Sequence, residues 1–160
     1  MNIAIVIGVS KYPGQEIIAP KKDADRINQL LRATKKYEND ILYITENTVA
    51  ATVKAQLRSF LQSYDKQEIE EVFYYFSGHG IFEDREFYML CSDYDKSKRN
   101  TTSLQNSEID SFIRVLEPKL TVKVIDACFS GYRYVKDESF ASPDNILLRK
   151  NIGERYFYGI

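Results

Sequence analysis

The stretch "VFYYFSGHG", residues 72–80, decides the fold together with a second one, "VKVIDACFSG", residues 122–131. Each opens as an apolar run rich in β-branched or aromatic residues and closes on small residues. The first reads as a strand ending in a turn, where Gly78 and Gly80 flank His79, the only histidine in the chain. The second reads as a strand ending at Asp126-Ala127-Cys128, with Gly131 following. Runs of this kind suit strands covered on both faces, as in a parallel sheet.

Outward from these two runs the chain alternates. "NIAIVIGVS" (2–10) is another nearly continuous apolar strand, and "KYPGQ" turns after it. "KKDADRINQLLRA" (21–33) puts Ala24, Ile27, Leu30 and Leu31 on one helical stripe, with Pro20 near its start. "DILYIT" (40–45) is a strand. The next helix, 48–64, has the stripe Val53, Leu57, Phe60, Leu61 and Tyr64, with Thr48 as its predicted N-cap. After the histidine run, "EFYMLCSD" (86–93) is a short strand and "DKSKRNTTSLQN" (95–106) a polar, exposed loop. Ser107 caps a helix over 107–118 that Pro118 stops, with Ile109, Phe112, Ile113 and Leu116 inward. The strand of residues 120–127 follows.

Strand and helix in alternation describe βαβ units with right-handed crossovers. The predicted class is therefore α/β, with a mostly parallel central sheet and helices on both faces. Ligands of such sheets bind outside the carboxyl ends of the strands. His79 and Cys128 both fall there, on one edge of the sheet.

Composition narrows the function classes. With 160 residues, 44% of them hydrophobic and 28% charged, the chain suits a single globular domain. A net charge of −1 provides no general attraction to nucleic acid or membrane. Two cysteines, Cys91 and Cys128, make no disulfide framework. No signal peptide is recognisable at Met1, and the apolar run behind it is too short to span a membrane. The expected location is the reducing cytoplasm.

Taken singly, His79 reads as a turn residue and Cys128 as a small buried hydrophobe. Taken together they suit nucleophilic catalysis. A thiol with a pKa near 8.5 is a few per cent thiolate at neutral pH and needs a basic partner. Histidine supplies that base and can then protonate a leaving amine. The neighbouring glycines let backbone N–H groups approach a substrate oxygen and stabilise a tetrahedral oxyanion. Asp126 lies two residues before Cys128, hence on the same strand face if the strand persists, about 6–7 Å away. A carboxylate there would pair with Arg or Lys and repel a substrate Asp. Its plainer reading is a turn-closing carboxylate bonded to backbone N–H groups.

"YYFSGHG" and "VIDACFSG" resemble the paired motifs of the caspase-like cysteine peptidases, one carrying the histidine and the other the nucleophile. They stand 49 residues apart, close to the spacing of about 50 in caspases. The opening "AIVIGVSKYPG" and the helix after it resemble the first units of that family, so the likeness spans roughly 3–131. Animal caspases carry Q-A-C-[RQG]-G at the nucleophile. The Asp126-Ala127-Cys128-Phe129-Ser130-Gly131 of this chain resembles metacaspases and their bacterial relatives instead.

The resemblance implies a three-layer caspase-like sandwich. It implies Cys128 as nucleophile, His79 as general acid/base, and the backbone N–H groups of Gly80 and Cys128 as an oxyanion hole. No third triad member is evident. It also implies an acidic S1 pocket made by Asp126 and an aspartate early in the first helix. Asp23 is the better match and Asp25 the weaker one, and favourable charge in a helix's first turn is the plainer reading of Asp23. Cleavage after Arg or Lys follows, in defence or cell-death signalling, with a protein or peptide as substrate. The alternative is an inactive caspase-like scaffold serving as an interaction domain.

Cys91, among apolar neighbours, reads as packing. The resemblance to metacaspases, some of which depend on calcium, raises calcium activation, but Asp93 and Asp95 alone fall short of a cage of six or more oxygens, so no metal or cofactor is expected. Residues 1–131 read as the catalytic core and 132–160 as a post-nucleophile loop and incomplete extension, giving a portion like a caspase large subunit. A small-subunit-like or regulatory segment is then the expected partner, covering an exposed sheet edge. Arg133, Lys136, Arg149, Lys150 and Arg155 are candidate processing sites.

Overall fold

In the computed structural model, residues 1–37 and 40–129 are described, the last two of them by backbone alone. The first apolar run becomes β1 (Asn2–Gly8), with residues 3–8 buried. A small hairpin of β2 (Lys11–Tyr12) and β3 (Gln15–Glu16) follows. Its turn has Pro13 and then Gly14 at φ +74°, the pattern of a type II turn, in which the second central position favours glycine. Then come α1 (Ala19–Ala33), β4 (Ile41–Ile44) and α2 (Ala50–Gln62). The histidine run forms β5 (Glu71–Glu83), which turns back into β6 (Glu86–Leu90). A 3₁₀ segment (Lys96–Thr101), β7 (Ser103–Gln105), α3 (Asn106–Arg114) and β8 (Leu120–Phe129) complete the described chain.

β1 pairs in parallel with β4 on one side and β5 on the other, and β8 pairs in parallel with β5. β6 and β7 add antiparallel pairings beyond the far end of β5, so the six-stranded sheet is mixed. Period-two alternation divides the strands between two cores. Ile3, Ile5, Ile7, Val72, Tyr74 and Phe76 pack with Val53 and Leu57 of α2 and Ile109 and Ile113 of α3. On the opposite face Ala4, Val6 and Tyr75 pack with Ala24 and Leu31 of α1. Helices thus cover both faces, as expected of a three-layer α/β sandwich.

Several local expectations are corrected. The strand carrying His79, expected over 70–78, does not end at Gly78: β5 continues to Glu83 because β8 and β6 go on supplying ladder partners. His79 therefore lies within a strand, not in a turn. The polar segment 95–106 is not a free loop. Ser103 and Leu104 are fully buried in β7, and Arg99 pairs with Glu83 and Asp84 and lies over the Tyr88 ring.

Thr48 does not cap α2. Its carbonyl accepts from Ser92 N–H at 2.9 Å, and Asp93 accepts from Ala50 N–H at 2.9 Å in its place. Ser107 lies inside α3, where its N–H and hydroxyl both donate to Glu86 of β6. That helix ends at Arg114, short of Pro118, as the chain turns through Glu117 at φ +47°. Leu30 is 60% exposed, off the buried stripe. Gly131, the tail and its basic residues lie outside the described residues.

Candidate active site

The site is built where β1 stops and β5 and β8 continue. β1 pairs with β5 only as far as Gly8–Ser77. Beyond that point β5 carries Gly78, His79 and Gly80 alongside β8. The β5–β8 register is continuous: Ser77 pairs with Asp126, Gly78 with Ala127, His79 with Cys128 and Gly80 with Phe129. Register partners on parallel strands share a sheet face and stand about one strand spacing, 4.7–4.9 Å, apart. The two motifs, 49 residues apart in sequence, are thus direct neighbours. Their face is the one covered further back by α1. His79 is half-buried.

β8 persists through Cys128, so Asp126 and Cys128 occupy the same face, as the two-residue spacing required. Asp126 is exposed, and the hydrogen bond it receives comes from the Tyr75 hydroxyl at 3.4 Å. Among the described residues no lysine or arginine pairs with it. Asp126 lies within β8, and its carboxylate takes the Tyr75 hydroxyl.

Asp23 arrives from α1. The helix lies close over the end of β1, where a Cβ on Gly8 would stand 2.6 Å from the Pro20 carbonyl oxygen and 2.8 Å from Ala24 Cβ. This close approach brings the first turns of α1 over the carboxyl edge. Burial pushes the Tyr75 phenol up to about 12, and the carboxylates of Asp126 and Asp23 act in the same direction. Asp126 meets Tyr75 directly, and the charge of Asp23 is felt at the same phenol. Arg26 pairs with Asp23 at 3.2 Å, an exposed one-turn contact of the kind that contributes little and exchanges easily. Asp25 is engaged elsewhere, accepting from the Tyr43 hydroxyl.

Gly80 is buried, and a Cβ there would collide with the Phe87 ring of β6. Cys91 is fully buried at the end of β6, and burial first, then Asp93, pushes its thiol up to about 12. Packing is its role. Asp93 and Asp95 each bind backbone, at the starts of α2 and the 3₁₀ segment. Among the described residues no group of three or more His, Cys, Asp or Glu side chains is arranged to hold a metal ion.

Sequence reasoning missed Tyr12. Its hydroxyl accepts from the His79 N–H at 2.7 Å, and its ring centroid lies 4.6 Å from that of the imidazole. The signal was the tight Pro13-Gly14 turn, which keeps this side chain at the sheet's carboxyl edge instead of carrying the chain away.

A core strand with histidine, a neighbouring parallel strand with cysteine in register, and helices on both faces make a three-layer α/β domain with a cysteine and a histidine on one sheet edge. The chain belongs to the caspase domain family, whose model matches residues 1–152, and so carries a caspase-like cysteine peptidase domain with a protein substrate implied. No curated protein matches the chain.

Proposed function

We propose that this domain is a metacaspase-type endopeptidase that cuts after Arg or Lys. The observation that carries the reading is the β5–β8 register. It sets His79 beside Cys128 and leaves Asp126 exposed one same-face position away, without a basic partner among the described residues. In the proposed reaction His79 takes the thiol proton and the Cys128 thiolate attacks the scissile carbonyl carbon. Backbone N–H groups at this edge, that of Cys128 among them, hold the resulting oxyanion. His79 then protonates the leaving amine as the C–N bond breaks, and water hydrolyses the thioester. Asp126 and Asp23 receive the substrate's P1 cation, Asp23 exchanging its exposed contact with Arg26 for the substrate.

A thiol nucleophile fits a reducing, cytoplasmic setting, and regulation by a partner segment or by processing in defence or cell death fits the subtype. Peptides differing only at P1 test the specificity. Arg and Lys should be cut and Asp refused. Asp126→Asn should lower kcat/KM for the Arg peptide by about 10-fold or more, as expected for a charge-assisted hydrogen bond worth about 1.5–3 kcal/mol. Preference for Asp at P1, or an unchanged Arg rate in Asp126→Asn, would refute the S1 assignment.

A further inference from the structure

The backbone of His79 is held by a side chain where the sheet runs out. The last β1–β5 ladder bond is from Val9 N–H to the Ser77 carbonyl, at 2.9 Å. In a parallel ladder the next bond would run from His79 N–H to the carbonyl of residue 9. That bond is replaced. The chain leaves the sheet into the β2–β3 hairpin, and the Tyr12 hydroxyl takes the His79 N–H at 2.7 Å.

The hairpin is anchored for this task. Ile17 N–H donates to the Ser10 carbonyl at 2.7 Å, and the Ser10 hydroxyl accepts from Lys21 N–H of α1 at 2.9 Å. Gly78 leaves room for the tyrosine, since a Cβ at that position would lie 2.6 Å from the Tyr12 hydroxyl. The Tyr12 ring then lies against the imidazole at 4.6 Å, tilted by 45°. Backbone and ring of the histidine are thus both fixed by one residue, 67 positions away in sequence.

We propose that Tyr12 is a positioning residue that sets the His79 imidazole for proton transfer with Cys128. The inference rests on the cysteine–histidine reading above and deepens it. Burial raises the Tyr12 pKa well above that of a free phenol, so its oxygen accepts as a neutral group across the working pH range. An acceptor of constant charge holds the histidine without altering as the imidazole gains and loses its proton.

The test follows alkylation of Cys128 by iodoacetamide in the 160-residue chain, with the modified peptide identified by mass. The parent, Tyr12→Phe, Tyr12→Ala, His79→Ala and the double variant Tyr12→Ala/His79→Ala are compared at neutral pH, each with its melting curve. Tyr12→Phe keeps the ring and loses the acceptor, and should slow labelling about 3- to 10-fold, as for one ordinary hydrogen bond. Tyr12→Ala should slow it about 10- to 100-fold, the scale of a misplaced catalytic group.

The double variant separates positioning from general damage. If Tyr12 acts through His79, Tyr12→Ala changes nothing further once His79 is alanine. Because the chain has one histidine, its imidazole NMR signals are assigned without ambiguity and should move in Tyr12→Ala. Equal slowing by Tyr12→Ala in both backgrounds, or none in either, overturns the role of Tyr12 and leaves the dyad standing. Labelling of His79→Ala at the parent rate overturns the dyad, and this proposal with it. If Tyr12→Ala does not melt cooperatively, Tyr12→Phe decides: parent-rate labelling overturns the proposal and slowing supports it.

Discussion

Gly8→Ala probes the contact that brings α1 over the site. Gly8 ends β1 with ordinary extended backbone, so alanine meets no conformational barrier there. Its Cβ, however, would stand 2.6 Å from the Pro20 carbonyl oxygen, 2.8 Å from Ala24 Cβ and 3.2 Å from the Pro20 carbonyl carbon. Heavy atoms settle about 3.5–4.0 Å apart, so roughly 0.8 Å of outward movement is needed. Two of the three obstructing atoms are backbone, and no rotamer change can clear them. The helix must move as a body, at the overpacking cost of about 1–3 kcal/mol.

Alanine also restricts the unfolded chain, which offsets about 0.4–1 kcal/mol of that loss. The contacts are close enough to call for the upper half of the range, leaving a net loss of about 1–2.6 kcal/mol. At about 2–4 °C per kcal/mol for a chain of this size, Tm should fall by roughly 2–10 °C. Because α1 carries Asp23, the same variant should cut the Arg-P1 peptide less well than the parent at temperatures where both are folded. Thermal melting and the P1 assay on the same preparation read both effects. A Tm equal to or above the parent's would refute the close α1–β1 packing from which the position of Asp23 was argued.

Two further perturbations test other parts of the structure. Lys123 is fully buried and pairs with Asp110 and, at 2.8 Å, with Asn106 of α3, so Asp110→Ala should destabilise by about 3 kcal/mol in urea unfolding. Lys123→Met combined with Asp110→Leu should recover most of that loss, and a mild effect of Asp110→Ala alone would contradict the buried pair. Cys91, pushed up to about 12 by burial, keeps its proton in the folded state while the unfolded thiol loses it near 9. Stability should therefore be insensitive to this group below about pH 8.5 and fall above it by up to about 1.4 kcal/mol per pH unit. Cys91→Ala should flatten that loss between roughly pH 9 and 10, before the tyrosines join in, and an unchanged alkaline slope would refute the assignment.

The two motifs were legible because each carries its own local cause. Long β-branched and aromatic runs dictate strands whatever surrounds them, and the residues beyond a strand's carboxyl end mark an α/β ligand edge. The same-face relation of Asp126 to Cys128 follows from these rules, whereas His79 and Cys128 lie within β5 and β8 and reach the ligand edge because β1 stops before them. The helix stripes of Val53, Leu57 and Leu61 and of Ile109 and Ile113 were equally local. Caps were less legible, because Asp93 and Glu86 serve helices from distant segments. The end of β5 was also hidden: a strand stops where its partners stop, and those partners are β6 and β8.

By itself, then, the sequence determined the main strands and helices and the nearness of His79 and Cys128 to one sheet edge, but not the β2–β3 hairpin, β7 or the 3₁₀ segment. Tertiary structure decided the remaining relations, which depend on register and close approach between segments far apart in the chain. It set His79 directly opposite Cys128, engaged Asp25 with Tyr43, and put the Tyr12 hydroxyl on the His79 backbone. Periodicity fixes the face a side chain occupies, whereas only the packed sheet and helix fix what stands opposite it.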